Sequence, residues 1–433
     1  MASDPDRGSI SLTTATSITI ANMVGTGVFT SLGFQVVDLH SGFALLLLWV
    51  IGGIFALCGA LSYGELAAAL PRSGGEFHFL GRIYHPAFGF LAGWVSFTAG
   101  FAAPIALAAH AFGSYLGQVV RISPLVLSCG VVVLVTAFHL RSLRLGSYFQ
   151  NIFTLFKIAL IVVFALAAWL FSRGRAAEID FAPSSEALGD IASLPFGISL
   201  LYVMFAYSGW NAAVYIVGEV REPARDVPRA LFLGTAIVLV LYVALNAVFL
   251  YTTPIDMLAG KIEIGHVVAT HVFGDVAGQM MSTLLSIALV STISAMVWAG
   301  PRVTQMMGED YPFFAVLART RNGIPALAIL TQSALVLVLL VTSSFDEILV
   351  FTQFTLTASS FLAVLGVFVL RRKAPDLPRP YKTWGYPVTP LLFVAISLVI
   401  MIYTLIERPW ESLAGMATLA VGLAIHAALT RKV

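Results

Sequence analysis

Charge is scarce in this chain. Asp, Glu, Lys and Arg make up 11% of its 433 residues, less than half the share usual in soluble domains. A surface facing water on all sides cannot be assembled from so few polar groups. Cysteine is scarcer still: Cys58 and Cys129 both sit in apolar runs. Two such residues exclude a disulfide framework, and without a Cys-x-x-Cys pair they make no metal site. No His-Glu-x-x-His, Gly-x-Ser-x-Gly or Gly-x-x-x-x-Gly-Lys pattern occurs. That removes the signatures of zinc peptidases, nucleophile-elbow hydrolases and phosphate-binding loops. Neither an enzyme, a cofactor nor a nucleic-acid partner is expected; the net charge of +2 is unremarkable, and its sign says nothing about nucleic acid. There is no basic head, short apolar core and small-residue cleavage site at the N-terminus, so the first apolar run is expected to stay in the mature protein.

What the chain does have is long apolar runs, in keeping with 59% hydrophobic residues. A bilayer core takes about 20 apolar residues per helix. Twelve runs meet that description: 10–35, 42–70, 87–118, 123–140, 146–171, 192–217, 230–252, 276–307, 325–343, 347–370, 387–406 and 412–430. They are too long and too evenly apolar for the alternating strands of a barrel, the other way to satisfy backbone groups in lipid. The expected fold is an all-α integral membrane protein of twelve transmembrane helices in a single domain, 1–433. Residues 1–9 would be a cytoplasmic N-terminus. With that end inside, eighteen of the 24 lysines and arginines fall on inner segments and five outside, with Lys157 left within a span. This positive-inside bias puts both termini in the cytoplasm.

Two runs carry small residues near mid-membrane: Asn22-Met23-Val24-Gly25-Thr26-Gly27-Val28-Phe29 in the first and Phe205-Ala206-Tyr207-Ser208-Gly209-Trp210-Asn211 in the sixth. Glycine weakens a helix and admits other backbone angles. Unwound backbone is tolerated at that depth only where it lines a cavity. Freed amides and a half-helix N-terminus attract a carboxylate, and freed carbonyls attract an ammonium. Together they suit a zwitterion. Close helix packing also uses small residues. The placement in spans one and six is what an inverted repeat of five plus five helices produces. That symmetry is inferred from position, with no residue-level repeat visible between 10–171 and 192–370; 387–430 would add helices 11 and 12.

Four stretches resemble a known family. They are Gly25-Thr26-Gly27; Tyr63-Gly64-Glu65-Leu66 with Leu70-Pro71-Arg72-Ser73-Gly74-Gly75-Glu76; Phe205 to Asn211 with Gly218-Glu219 and Pro223 to Pro228; and Leu370-Arg371-Arg372-Lys373-Ala374-Pro375-Asp376-Leu377-Pro378-Arg379-Pro380-Tyr381. In this order and spacing the chain resembles the amino acid–polyamine–organocation superfamily, and within it the bacterial relatives of the L-type amino acid transporters. The resemblance implies the leucine-transporter fold, helices 1 and 6 unwound at mid-membrane, and alternating access. It implies a substrate site of Met23, Val24, Gly25, Thr26, Gly27, Phe205, Ala206, Ser208, Gly209 and Asn211. The α-carboxylate would lie on the amides of Gly25, Thr26 and Gly27, and the α-amino group on carbonyls near Phe205, Ala206 and Ser208. Phe205 would be the aromatic gate.

Lys157 lies roughly ten residues from either end of its span, too deep to reach the headgroups. A charge at that depth costs at least a few kcal/mol and marks a functional site. Sodium-coupled relatives of the fold hold Na⁺ between spans one and eight. The resemblance implies that the Lys157 ammonium replaces the ion there, against a carbonyl near Met23 or Val24 and a span-eight hydroxyl. Thr292 is favoured over Ser291 and Ser294. Sodium-independent transport follows, with uniport, exchange and proton symport through Lys157 all open.

Mid-span positions of helices three and ten, including Ser96, Phe97, Thr98, Gly100, Phe351, Gln353 and Phe354, carry no charge, which favours a neutral amino acid. Glu65 is expected to pair with an arginine, and His110 and His139 to lie at the membrane interface. Eukaryotic L-type transporters join a glycoprotein through a cysteine after span three. The matching loop, 119–124, has none, so no disulfide-linked heavy chain is expected. The expectation is a stand-alone transporter in the bacterial inner membrane, with an amino acid and the lipid bilayer as its partners.

Overall fold

A computed structural model describes residues 10–141, 146–172, 179–311, 314–320 and 324–430, without the side chains of 146–151, 306 and 310. The expected cytoplasmic segment 1–9 lies outside the described residues, as do Arg144, Arg173, Arg175, Arg321, Arg431 and Lys432 of the charge argument. The helices are α1 (Leu12–Met23), α2 (Ser31–Gln35), α3 (Gly42–Ala69), α4 (Gly75–Ile83), α5 (Pro86–Val95), α6 (Ala103–Gly117), α7 (Pro124–His139), α8 (Gly146–Phe171), α9 (Ser185–Ile191), α10 (Leu194–Ala206), α11 (Pro223–Thr252), α12 (Ile255–Leu258), α13 (Ile264–Phe273), α14 (Asp275–Asp310), α15 (Ala315–Ala318), α16 (Ala326–Thr342), α17 (Phe345–Lys373), α18 (Val388–Glu407) and α19 (Pro409–Thr430). Serines start several of them. Ser41, Ser193 and Ser344 accept from the amides of Ala44, Phe196 and Glu347, satisfying donors that a helix N-terminus leaves without partners.

Among the described residues eight helices are long and apolar enough to cross a membrane, or nine if α9 and α10, bent by 69°, count as one. The sequence predicts twelve, and the difference has a local cause. The first run is split into α1 and α2 by a break, so neither piece spans alone. The runs at α7 and α16 yield helices of 16 and 17 residues. α5 and α6 form one continuous span, Pro86–Gly117, interrupted by a π-helical segment, Ser96–Ala102. Such segments recur at functional sites; this one puts Ser96, Gly100 and Phe101 on the wall of the main cavity.

Two polar clusters tie the bundle together. Toward one end, Glu65 of α3 accepts from Arg371 Nε at 2.8 Å and Nη2 at 2.7 Å, and from the amide and hydroxyl of Thr383 at 2.7 Å each. The arginine expected to partner Glu65 is therefore Arg371, which joins α3 to α17 and the following loop. Toward the other end, Phe34 stacks between Tyr202 and Phe345 at centroid distances of 5.4 and 5.6 Å. There the Tyr202 hydroxyl donates to Asp346, which Arg408 reaches at 2.9 Å.

Candidate substrate site and lysine pocket

The two expected breaks are present. α1 stops at Met23, residues 24–26 are non-helical, and one 3-10 turn, Gly27–Phe29, leads to α2. No backbone carbonyl accepts from the amides of Gly25 or Thr26 among the described residues. α10 ends at Ala206, turns follow, and a 3-10 segment, Ala212–Glu219, continues the chain. The carbonyls of Met204 and Ala206 receive no backbone amide among the described residues. Gly209 has φ of +95°, a region that L side chains enter only with strain.

The breaks lie against each other. A Cβ on Gly27 would overlap the Ala206 Cα, and one on Gly209 would stand 2.7 Å from the Asn22 carbonyl oxygen. Behind them Trp49, Tyr207 and Tyr242 form a fully buried aromatic cluster. From it the Tyr242 hydroxyl donates to the Met23 carbonyl at 2.6 Å, and the Tyr207 hydroxyl to the Trp49 carbonyl at 3.0 Å. The breaks are thus fixed by bonds from two scaffold helices, α3 and α11.

A cavity of about 1160 Å³ runs from the breaks, where Asn22, Ser208, Gly209 and Asn211 line it, to Ile10, Glu219 and Arg302 at one end of the bundle. None of Phe34, Tyr202 and Phe345 at the other end lines it. Gln353, Thr357 and Ser360 of α17 face it from the scaffold side.

A second void, about 20 Å³, is lined by Val24, Gly25, Thr26, Phe29, Tyr115, Lys157, Leu285, Ala288, Leu289 and Thr292. The Lys157 ammonium donates to Thr292 Oγ1 at 2.6 Å in a fully buried contact.

The residues expected at one site are therefore divided. Ser208, Gly209 and Asn211 face the large cavity, whereas Val24, Gly25 and Thr26 face the lysine void. Met23 offers its carbonyl to Tyr242, and Gly27 contacts Ala206. Phe205 is 5% exposed and is not on the cavity wall. Of the candidate hydroxyls, Thr292 meets Lys157, while the buried Ser291 Oγ has no partner among the described residues. No group of three or more His, Cys, Asp or Glu able to hold a metal occurs among the described residues.

Three features escaped the sequence reading. Glu76 is buried on the cavity wall, where it accepts from the Tyr63 hydroxyl at 2.9 Å, the Asn211 amide at 2.7 Å and the Tyr215 hydroxyl at 2.5 Å. His139, expected at the membrane interface, is buried, bonds Ser294 at 2.8 Å and lines the same cavity. Asn22 is exposed where the cavity reaches it, and its side-chain amide turns back to the Ile18 carbonyl at 2.9 Å.

Broken apolar helices, a polar-edged cavity at their breaks and a buried lysine define a membrane carrier rather than a catalyst. Residues 10–420 match the family model described as amino acid permease, and the chain belongs to that family, within the amino acid–polyamine–organocation superfamily. It is similar to the serine/threonine exchanger SteT of Bacillus subtilis (strain 168), 28% identical over 96% of this chain and 94% of that one. It is similar also to the mouse (Mus musculus) b(0,+)-type amino acid transporter 1, 25% identical over 96% and 87%. The mouse large neutral amino acids transporter small subunit 2 is 27% identical over 96% and 80%. The protein is a multi-pass membrane transporter of amino acids.

Proposed function

We propose that this chain is a sodium-independent exchanger or facilitator of neutral L-amino acids working by alternating access. The observation that carries the sodium-independence is the Lys157–Thr292 contact, 2.6 Å long, in a void shared with Val24, Gly25 and Thr26. A fixed ammonium there bonds a hydroxyl in a void lined by unwound backbone, groups of the kind that would otherwise hold a cation. The substrate carboxylate rests on the amides of Gly25, Thr26 and Gly27, and its ammonium on carbonyls near Phe205, Ala206 and Ser208. Phe205 closes over the substrate when the site is occupied. Neutral substrates are favoured because Ser208, Gly209, Gln353 and Thr357 on the wall are uncharged, and Glu76 is already held by three neutral donors. The exchanger name of the bacterial relative favours exchange over uniport.

The same reading takes the twelve apolar runs as twelve membrane helices in a five-plus-five inverted repeat followed by two more. It places the protein in the bacterial inner membrane with both termini cytoplasmic, so the cavity opens inward. It also takes the chain as independent of a disulfide-linked partner, since Cys58 is buried and Cys129 lies within α7. One alternative rests on the same lysine: an ammonium whose one hydrogen bond among the described residues is to the Thr292 hydroxyl could release its proton during transport, making the protein a proton-coupled symporter.

Uptake of labelled neutral amino acids into proteoliposomes decides between them. In sodium-free buffer at equal pH, saturable uptake that needs internal amino acid supports exchange. Uptake that appears only with an inward proton gradient defeats exchange in favour of symport.

A further inference from the structure

Glu76 does more than fill a buried position. It begins α4, on the segment that follows α3, and reaches across to the break in the sixth apolar run. Three donors converge on it: the hydroxyls of Tyr63 and Tyr215 and the side-chain amide of Asn211. A carboxylate accepts hydrogen bonds and does not donate them. The side chain of Asn211 therefore has one permitted orientation, with its NH2 toward Glu76. Its Oδ1 has no donor among the described residues. Unlike the sealed amide oxygen of Gln353, that oxygen is not among the buried atoms without a partner, and Asn211 lies on the cavity wall.

We infer that Glu76 is a specificity-determining positioning residue: by holding the NH2 of Asn211 it turns the acceptor oxygen Oδ1 toward the substrate, so the site favours amino acids whose side chain carries a hydrogen-bond donor, hydroxyl-bearing ones first. This rests on the reading of the cavity as an amino-acid site and names the substrate class within it. The other donor that could meet Oδ1 is the substrate's own α-ammonium, common to every amino acid. A comparison of substrates with and without the hydroxyl separates the two.

The test uses the full-length protein in proteoliposomes and two near-isosteric pairs, serine against alanine and threonine against 2-aminobutyrate. Competition against a labelled amino acid gives apparent affinities. The unmodified protein should prefer the hydroxyl member of each pair by about threefold to tenfold, the contribution of one neutral hydrogen bond. In Glu76→Gln the new side chain brings an NH2 of its own. Asn211 then turns its oxygen toward position 76, and the preference falls to near unity or reverses. Glu76→Asp remains acceptor-only and should retain a preference. Tyr215→Phe keeps the carboxylate but removes one of the donors that hold it in place, and should lower the ratio partway; it also serves if Glu76→Gln does not reach the membrane.

A hydroxyl preference lost in Glu76→Gln and kept in Glu76→Asp supports the inference. No preference in the unmodified protein, a ratio unchanged in both Glu76→Gln and Tyr215→Phe, or an equal loss of affinity for both members of each pair overturns it. The last result would assign Oδ1 to the ammonium. Absence of any amino-acid uptake by the unmodified protein defeats the transport reading as well, and is distinguished from the other outcomes by that fact.

Discussion

Gly27 rests directly on the backbone of Ala206, so the first and sixth apolar runs touch at the points where their helices are broken. A methyl group has no room between them. Over-packing a tight contact of this kind costs about 1–3 kcal/mol, and here the strain falls on the unwound backbone itself. Gly27→Ala is expected to abolish exchange at normal surface amounts, measured by counterflow in proteoliposomes. Gly209→Ala should do the same for two reasons, the positive φ and the nearby Asn22 carbonyl. Gly189→Ala, on α9 with nothing within 4 Å of the added carbon, should leave transport unchanged.

The lysine void makes a prediction about ions. If the Lys157 ammonium occupies the place of a cation, replacing sodium by choline should leave uptake unchanged. A hydrogen bond to a charged group is worth about 1.5–3 kcal/mol. Thr292→Val should therefore slow exchange roughly tenfold or more, and Lys157→Ala should cost at least as much. Ser291→Ala should be close to neutral, since that hydroxyl bonds nothing among the described residues. Initial rates at matched protein amounts test all three.

The residues that were legible in the sequence are those whose signal is local. Apolar runs reveal helices, and glycine pairs within them reveal where the helix fails. A lysine far from both ends of a span marks itself. Thr292 and Ser291 differ by one position, about 100° around a helix, so only one of two adjacent hydroxyls can point at Lys157. Choosing between them from sequence took the family pattern. Glu76 was not legible. It follows Gly74-Gly75 in what reads as a loop, and its three partners come from α3 and from the sixth run, 13 residues behind Glu76 and 135 and 139 ahead of it. His139 was misplaced for a related reason: nearness to a helix end suggested the interface, but α14 supplies Ser294 and covers the ring. The count of membrane helices depended on unbroken length, which a carrier with broken helices does not provide.

Glu65 holds α3, α17 and the loop at Thr383 together through one carboxylate that is 1% exposed. Removing one partner of a buried pair costs about 3–5 kcal/mol because the other charge is left uncompensated. Glu65→Gln should lower the apparent Tm in detergent more than Arg225→Gln. Arg225 pairs with Glu222 in an exposed contact, where about 0–1 kcal/mol is at stake. Thermal unfolding followed by size-exclusion chromatography would rank them.

The proposed orientation rests on charge and is open to direct labelling. A cysteine at Lys261, on the loop before α13, should react with a membrane-impermeant maleimide in intact cells. A cysteine at Arg372, at the end of α17, should react only after permeabilisation. Both would be placed in a background lacking Cys58 and Cys129. The reverse pattern would turn the protein over and make the cavity face outward.

The isolated bridge at the mouth of the cavity bears on how the mouth shuts. Ile10 exchanges two backbone hydrogen bonds with the segment just after the sixth run, donating to the Glu219 carbonyl and accepting from the Arg221 amide, each at 3.0 Å. Main-chain bonds of this kind depend on backbone shape more than on side chains, so substitutions at these positions tolerate them well. They leash the entry to the first helix to the exit from the sixth. Under the proposed alternating access, motion of either broken helix at that end would be felt by the other, and a fluorophore carried near residue 10 would act as a tell-tale for the opening and closing of the mouth.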